Sequence, residues 1–204
     1  MTQRSRVSSR SLAIAGAMAA GLVAPLALAH PGHGVEHGGL AAGLMHPWLG
    51  LDHLLAMGAI GLWSLGQGAA MRRFTPLMAL AGMLAGAGLA LAGALPAGAL
   101  PGVEGGIALS VLIAGVMVAA LMRLPAALGG GLVIALMTMH GIAHGAEMPA
   151  AASLVAYVVG FSASTLAITM LARVLGGWLA SREQRLVRAL GAAIAVCGGV
   201  LALS

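Results

Sequence analysis

The sequence predicts an all-α fold, a polytopic membrane helix bundle with six transmembrane helices after a cleaved signal peptide. Three observations predict it. Of the 204 residues 60% are hydrophobic and only 7% charged, with a mean hydropathy of +1.02, whereas soluble domains carry about 25% charged residues. The apolar residues fall in runs long enough to cross about 30 Å of hydrocarbon at 1.5 Å per residue. Glycine is abundant (32 residues) and aromatics are scarce (3%), which suits membrane helices packed closely through small residues.

Residues 1–29 read as a secretory signal. Arg4, Arg6 and Arg10 form a basic start, Leu12 to Ala24 an apolar core, and Ala27-Leu28-Ala29 a small-x-small cleavage site after Pro25. No twin-Arg pair precedes the core, which implies ordinary Sec-type export. The mature chain then begins with a His-rich periplasmic segment, residues 30–41, containing His30, His33, Glu36 and His37. Three imidazoles and a carboxylate in so short a Gly-rich stretch can capture a borderline metal weakly. Gly32 stands at the third position, so this is not the amino-terminal copper/nickel motif, which needs His there.

The remaining residues, 42–204, form the transmembrane domain. Apolar runs cover roughly 42–66, 75–95, 103–122, 126–147, 151–173 and 186–203. All ten basic residues are arginine, and those of the mature chain fall in alternate connections. Arg72 and Arg73 follow the first span, Arg123 follows the third, and Arg173, Arg182, Arg185 and Arg188 surround the link between the fifth and sixth. The connections 96–102 and 148–150 hold none. The positive-inside rule therefore puts both termini of the mature chain in the periplasm, with the protein in the bacterial inner membrane. The signal peptide gives the same orientation independently. Read this way, the arginines are topogenic charge and nucleic acid is not an expected partner, despite the net charge of +5. Cys197 is the single cysteine, so an internal disulfide and a CxxC site are both excluded.

Polar residues inside these spans point to function, because an ionisable group in hydrocarbon costs roughly 2.5–3.5 kcal/mol on an insertion scale. The stretch Leu44–Trp63 carries His46, Asp52 and His53. His46 and His53 are seven residues apart, hence on one face but roughly 10 Å apart in a straight helix, too far for one ion held at about 2 Å by each. They read as successive ligands on a path, or as ligands brought together by a distortion at Pro47 and Gly50. Asp52 is a ligand or the partner of an imidazole's second nitrogen. Met57, one turn beyond His53, offers a thioether, although Met is more often packing. Span four ends with His140, His144 and Glu147, whose i, i+4, i+7 spacing lines one face. Two His at i and i+4 can share one metal. Gly141 and Gly145 beside them make a ridge that a neighbouring helix can approach.

Orientation gives these residues a depth. Span one enters from outside and span four returns to it, so both sets occupy the outer half of the membrane. Glu104, at the start of span three, lies at that edge too, and every mature-chain acid except Glu183 is on the outer side. The result is an acidic, imidazole-lined mouth for a cation. His and carboxylate ligands favour nickel, cobalt, zinc or iron(II) over copper(I).

At these residues the sequence resembles the HupE/UreJ family of nickel permeases. The resemblance rests on His46-Pro47-x-x-Gly50-x-Asp52-His53-x-x-Ala56-Met57 with Gly61-x-Trp63, and on His140-Gly-x-Ala-His144-Gly-x-Glu147. The His-rich start after a signal and the six spans also match, so it covers the whole mature chain. It implies a carrier, not an enzyme, that moves Ni²⁺ (Co²⁺ in some members) to supply hydrogenase or urease, by secondary transport or facilitated diffusion. It implies that His46, Asp52, His53, His144 and Glu147 are functional, with Glu104 matching an acidic position less closely. No permanently bound cofactor is expected; the partners are the lipid bilayer and the transported ion, and self-association is left open.

Three other readings compete. A metal-binding accessory protein that does not transport shares every feature above. A b-type haem carrier explains membrane His but not Asp52 and Glu147 beside them, nor Gly141 and Gly145 where haem wants bulky walls. An intramembrane serine protease using Ser162 or Ser164 needs a His in a later span, whereas the candidate His precede both serines.

Overall fold

The structure, a computed structural model, describes residues 39–95 and 100–203. The expected signal peptide, the segment bearing His30, His33 and His37, part of the 96–102 connection and Ser204 lie outside the described residues. Among the described residues there are seven helices and no strand: α1 (Gly39–Leu49), α2 (Leu51–Ser64), α3 (Ala69–Leu91), α4 (Leu100–Ala119), α5 (Ala126–Ala146), α6 (Leu154–Arg182) and α7 (Gln184–Leu201). The helices α3 to α7 are each long and apolar enough to cross a membrane.

The first expected span, 42–66, is not one helix. It breaks at Gly50, whose extended backbone (φ −78°, ψ 109°) separates α1 from α2. Pro47 lies inside α1 and donates no backbone hydrogen bond, so the ladder is already weakened one turn before the break. Neither half is long enough to span alone. Two further boundaries differ from expectation. α3 starts at Ala69 and α6 runs to Arg182, so Arg72, Arg73 and Arg173 sit within helices and not in connections. The 29 residues of α6 make it roughly 43 Å long at 1.5 Å per residue, which exceeds the hydrocarbon thickness. Its basic last turns can therefore reach the polar interface.

Glycines decide which helices pair. α3 packs most extensively on α5, where a Cβ added at Gly86 would strike the Thr138 carbonyl and one at Gly141 the Met83 carbonyl. The predicted Gly141/Gly145 ridge thus admits α3, with Gly145 against Ala87. In the same way Gly115, Gly191 and Gly198 seat α4 on α7, and Gly43 with Gly160 seats α1 on α6. Such backbone-to-backbone approach is how helices associate where lipid offers no hydrophobic drive. Ser164 adds a pin: its hydroxyl donates to the Leu44 carbonyl (2.6 Å) and accepts from Trp48 Nε1 (3.2 Å). Ser164, one of the two serines open to a protease reading, thus holds α1 to α6.

The end of the bundle that carries Arg123 and Arg188 is closed by a small hydrogen-bonded clasp. Trp63 Nε1 and Gln67 Nε2 both donate to the Met122 carbonyl at 2.8 Å, and the Leu124 N–H donates to Gln67 Oε1 at 3.3 Å. Arg188 Nε donates to the Ala119 carbonyl at 3.0 Å, capping the end of α4. The ends of α3 and α4 both finish in a left-handed residue, Gly93 (φ +66°) and Leu121 (φ +52°). Each is closed by paired bonds back into its helix, Ala94 to Leu89 and Gly93 to Ala90, Met122 to Met117 and Leu121 to Val118.

Candidate metal centre

The break at Gly50 builds the site. In a straight helix His46 and His53 would stand two turns apart, but here their ring centroids are 5.3 Å apart and edge-on. Of the two readings left open by the seven-residue spacing, the geometry is that of ligands brought together by a distortion, which Pro47 and Gly50 permit. α5 brings the rest. His144 lies 4.5 Å from His46 and 4.7 Å from His53 between centroids, and His140 lies 4.7 Å from His53.

The ligand nitrogens of His46, His53 and His144 lie within 4.8 Å of one another. Nitrogens bound to one ion at roughly 2.0–2.1 Å stand about 3.4 Å apart in a tetrahedron, so small side-chain rotations would close the trio on a cation. Three ring nitrogens, His53 Nε2, His140 Nδ1 and His144 Nε2, are buried without a hydrogen-bond partner among the described residues. An unpaired buried nitrogen costs free energy, and each of these ring nitrogens is a candidate ligand atom.

The opposite ring nitrogens are occupied. Asp52 Oδ1 accepts from the His53 backbone N–H at 2.6 Å and lies 2.8 Å from His53 Nδ1. A carboxylate can only accept, so Nδ1 carries the hydrogen and Nε2 the free lone pair. Of the two roles open to Asp52, the geometry is that of a partner to the imidazole. His144 Nδ1 faces the Tyr157 hydroxyl at 3.4 Å, and its ring stacks on Phe161 at 4.8 Å. His140 Nε2 lies 2.6 Å from Ser110 Oγ. Ser110, Tyr157 and Phe161 were missed in the sequence. The signal available was a polar or aromatic residue inside an apolar run, which packing explains equally well.

Exposure falls steadily inward. The Glu147 side chain is 59% exposed and His46 26%, His53 is 4%, and His140 and His144 are fully buried. Glu147, one residue beyond α5, places Oε2 3.3 Å from His46 Nε2. Burial is the main influence on its carboxyl and raises its pKa from the ordinary value; His53 opposes this, and the charges of Asp52 and Glu104 add to it. Glu104 is exposed on α4 and bears on Glu147 only through charge. Met57 is fully buried in the packed core. The arrangement can hold a cation of borderline softness between neutral imidazoles, with a carboxylate at the opening.

Residues 17–201 match the family model described as HupE / UreJ protein. The chain is also similar to Protein HupE of Rhizobium leguminosarum bv. viciae, 36% identical over 179 residues that cover 85% of this chain and 90% of the relative. No solved structure matches.

Proposed function

This chain belongs to the HupE/UreJ family, and on that premise we propose that it is an inner-membrane permease for a divalent transition-metal ion. Nickel is the first cargo and cobalt the second, taken up to supply a nickel enzyme such as urease or hydrogenase. The observation that carries this reading is the convergence of the His46, His53 and His144 ligand nitrogens within 4.8 Å, with buried imidazole nitrogens that have no hydrogen-bond partner among the described residues lying behind a partly exposed His46 and an exposed Glu147. Neutral imidazole and carboxylate suit Ni²⁺ and Co²⁺ better than Ca²⁺ or Mg²⁺, which take all-oxygen sites, or Cu⁺, which takes sulfur.

The proposed route follows burial. Acidic groups at the mouth, Glu147 and Glu104, draw the cation in, aided by His30, His33 and His37 once the signal, 1–29, is removed. His46, His53 and His144 receive it, and the ion then moves to a second, deeper set in which His140 replaces His46. Sharing His53 and His144 between the two sets lets ligands be exchanged one at a time, so no step strips the ion completely. In this topology α1 and α2 together form the first crossing, broken where backbone irregularity lines the cation site. Both mature termini are periplasmic, and the arginine-rich ends of α3, α4, α6 and α7 are cytoplasmic.

Accumulation of radioactive nickel in cells expressing the protein tests this. His53→Ala and Glu147→Ala should each abolish accumulation while the amount of protein in the membrane is unchanged. Uptake that survives both substitutions contradicts the reading. Excess cobalt, zinc and manganese as competitors rank the cargoes.

A further inference from the structure

At the inner end of the cluster the His140 ring meets α4. His140 is fully buried, and its Nε2 lies 2.6 Å from Ser110 Oγ on α4. Ser110 is itself fully buried. Its one hydroxyl hydrogen is committed, because Oγ donates to the Ile107 carbonyl at 2.7 Å. Serine in an apolar helix commonly bonds back to its own turn in this way. With that hydrogen used, Ser110 has only lone pairs to offer His140, so the hydrogen between them belongs to Nε2. A neutral imidazole has a single N–H, which leaves His140 Nδ1 as a bare lone pair. That is the nitrogen found buried without a partner among the described residues.

We propose that Ser110 is a positioning residue, which holds His140 as the Nε2–H tautomer so that Nδ1 is the deepest ligand for the transported ion. This rests on the permease reading. The deep set is then matched in kind: Asp52 fixes the hydrogen of His53 on Nδ1 and frees Nε2, while Ser110 fixes that of His140 on Nε2 and frees Nδ1. A carboxylate acts on one ligand and a neutral hydroxyl on the other. The hydroxyl orients without adding negative charge at the bottom of the site, where a second carboxylate would hold a dication too tightly to release.

Two measurements on the purified full chain in lipid nanodiscs test this. The first is equilibrium binding of radioactive nickel. Removal of a group that orients a ligand typically costs 10–100-fold in metal affinity, so Ser110→Ala should bind 10–100-fold more weakly. Ser110→Thr, which keeps the hydroxyl, should bind near the wild-type level. The double variant Ser110→Ala/His140→Ala should bind no more weakly than His140→Ala alone. The second is histidine ¹⁵N NMR of the metal-free protein, in which the signal lost in His140→Ala should report hydrogen on Nε2 in the wild type and an altered tautomer in Ser110→Ala. Wild-type affinity in Ser110→Ala, losses that add in the double variant, or hydrogen on Nδ1 in the wild type would each overturn the proposal. If Ser110→Ala binds normally while His53→Ala does not bind, only the role of Ser110 falls. If the wild type binds no nickel, the permease reading falls and the ligand role falls with it.

Discussion

Asp52→Ala should weaken nickel binding without abolishing it, and the size of the loss follows from how the carboxylate is used. Its Oδ1 takes two hydrogen bonds from one residue, the backbone N–H of His53 at 2.6 Å and the ring Nδ1 at 2.8 Å. It thereby fixes both the start of α2 and the direction of the His53 ring. Loss of such a partner typically costs 10–100-fold in metal affinity, or about 1.4–2.8 kcal/mol at 1.4 kcal/mol per tenfold. Asp52→Asn keeps an acceptor oxygen but loses the charge, and charge-assisted hydrogen bonds are roughly twice as strong as neutral ones. It should therefore fall between wild type and Asp52→Ala. His53→Ala removes the imidazole at the centre of the cluster and should leave no measurable site. The assay is equilibrium binding of radioactive nickel to each purified variant in nanodiscs, against a competing chelator. Thermal unfolding of the metal-free variants separates folding defects from ligand defects. Asp52→Ala as severe as His53→Ala would mean that the carboxylate itself coordinates the ion. Wild-type affinity in Asp52→Ala would mean that the orienting bonds have no consequence.

Further outcomes follow from the packing. Gly141→Ala should separate α3 from α5, since its Cβ meets the Met83 backbone; a loss of about 1–3 kcal/mol is expected for such overpacking, read as a lowered midpoint of thermal unfolding in detergent. Gly93→Ala should destabilise by about 1 kcal/mol because of the left-handed backbone alone, with nothing near the added Cβ. Gly88→Ala, on a helical backbone with equally open space, should stabilise by about 0.5–1 kcal/mol, and opposite signs in the same melting assay would confirm the reasoning. Ser164→Ala removes the pin on Leu44 and Trp48 and should cost about 1–2 kcal/mol, with reduced nickel uptake, because α1 carries His46.

Much of this was legible in the sequence, and the boundary of legibility is physical. Ionisable residues are expensive in hydrocarbon, so His46, Asp52, His53, His140, His144 and Glu147 stood out before any geometry was known. The i, i+4 rule placed His140 and His144 on one face, and the small-residue ridge at Gly141 and Gly145 received a helix as expected. Less visible was how far one break can rearrange a helix. Pro47 and Gly50 signalled a distortion, but spacing alone left a path of separate ligands equally open, and only the break at Gly50 decides for a cluster. Ser110 and Tyr157 were missed for another reason. Each reads locally as a serine bonding to its own turn or an aromatic in a packed helix, and only tertiary juxtaposition puts it beside an imidazole. Hydropathy likewise placed the ends of α3 and α6 too far inward, because a helix can continue past the hydrocarbon wherever arginines reach the interface.

In the proposed function the ion crosses the membrane and does not merely bind to the protein. Purified protein reconstituted into sealed liposomes, with radioactive nickel outside and a chelator trapped inside, measures this directly. Time-dependent nickel accumulation is expected, and His53→Ala should eliminate it. Nickel that binds to the wild-type protein but never reaches the trapped chelator would contradict it.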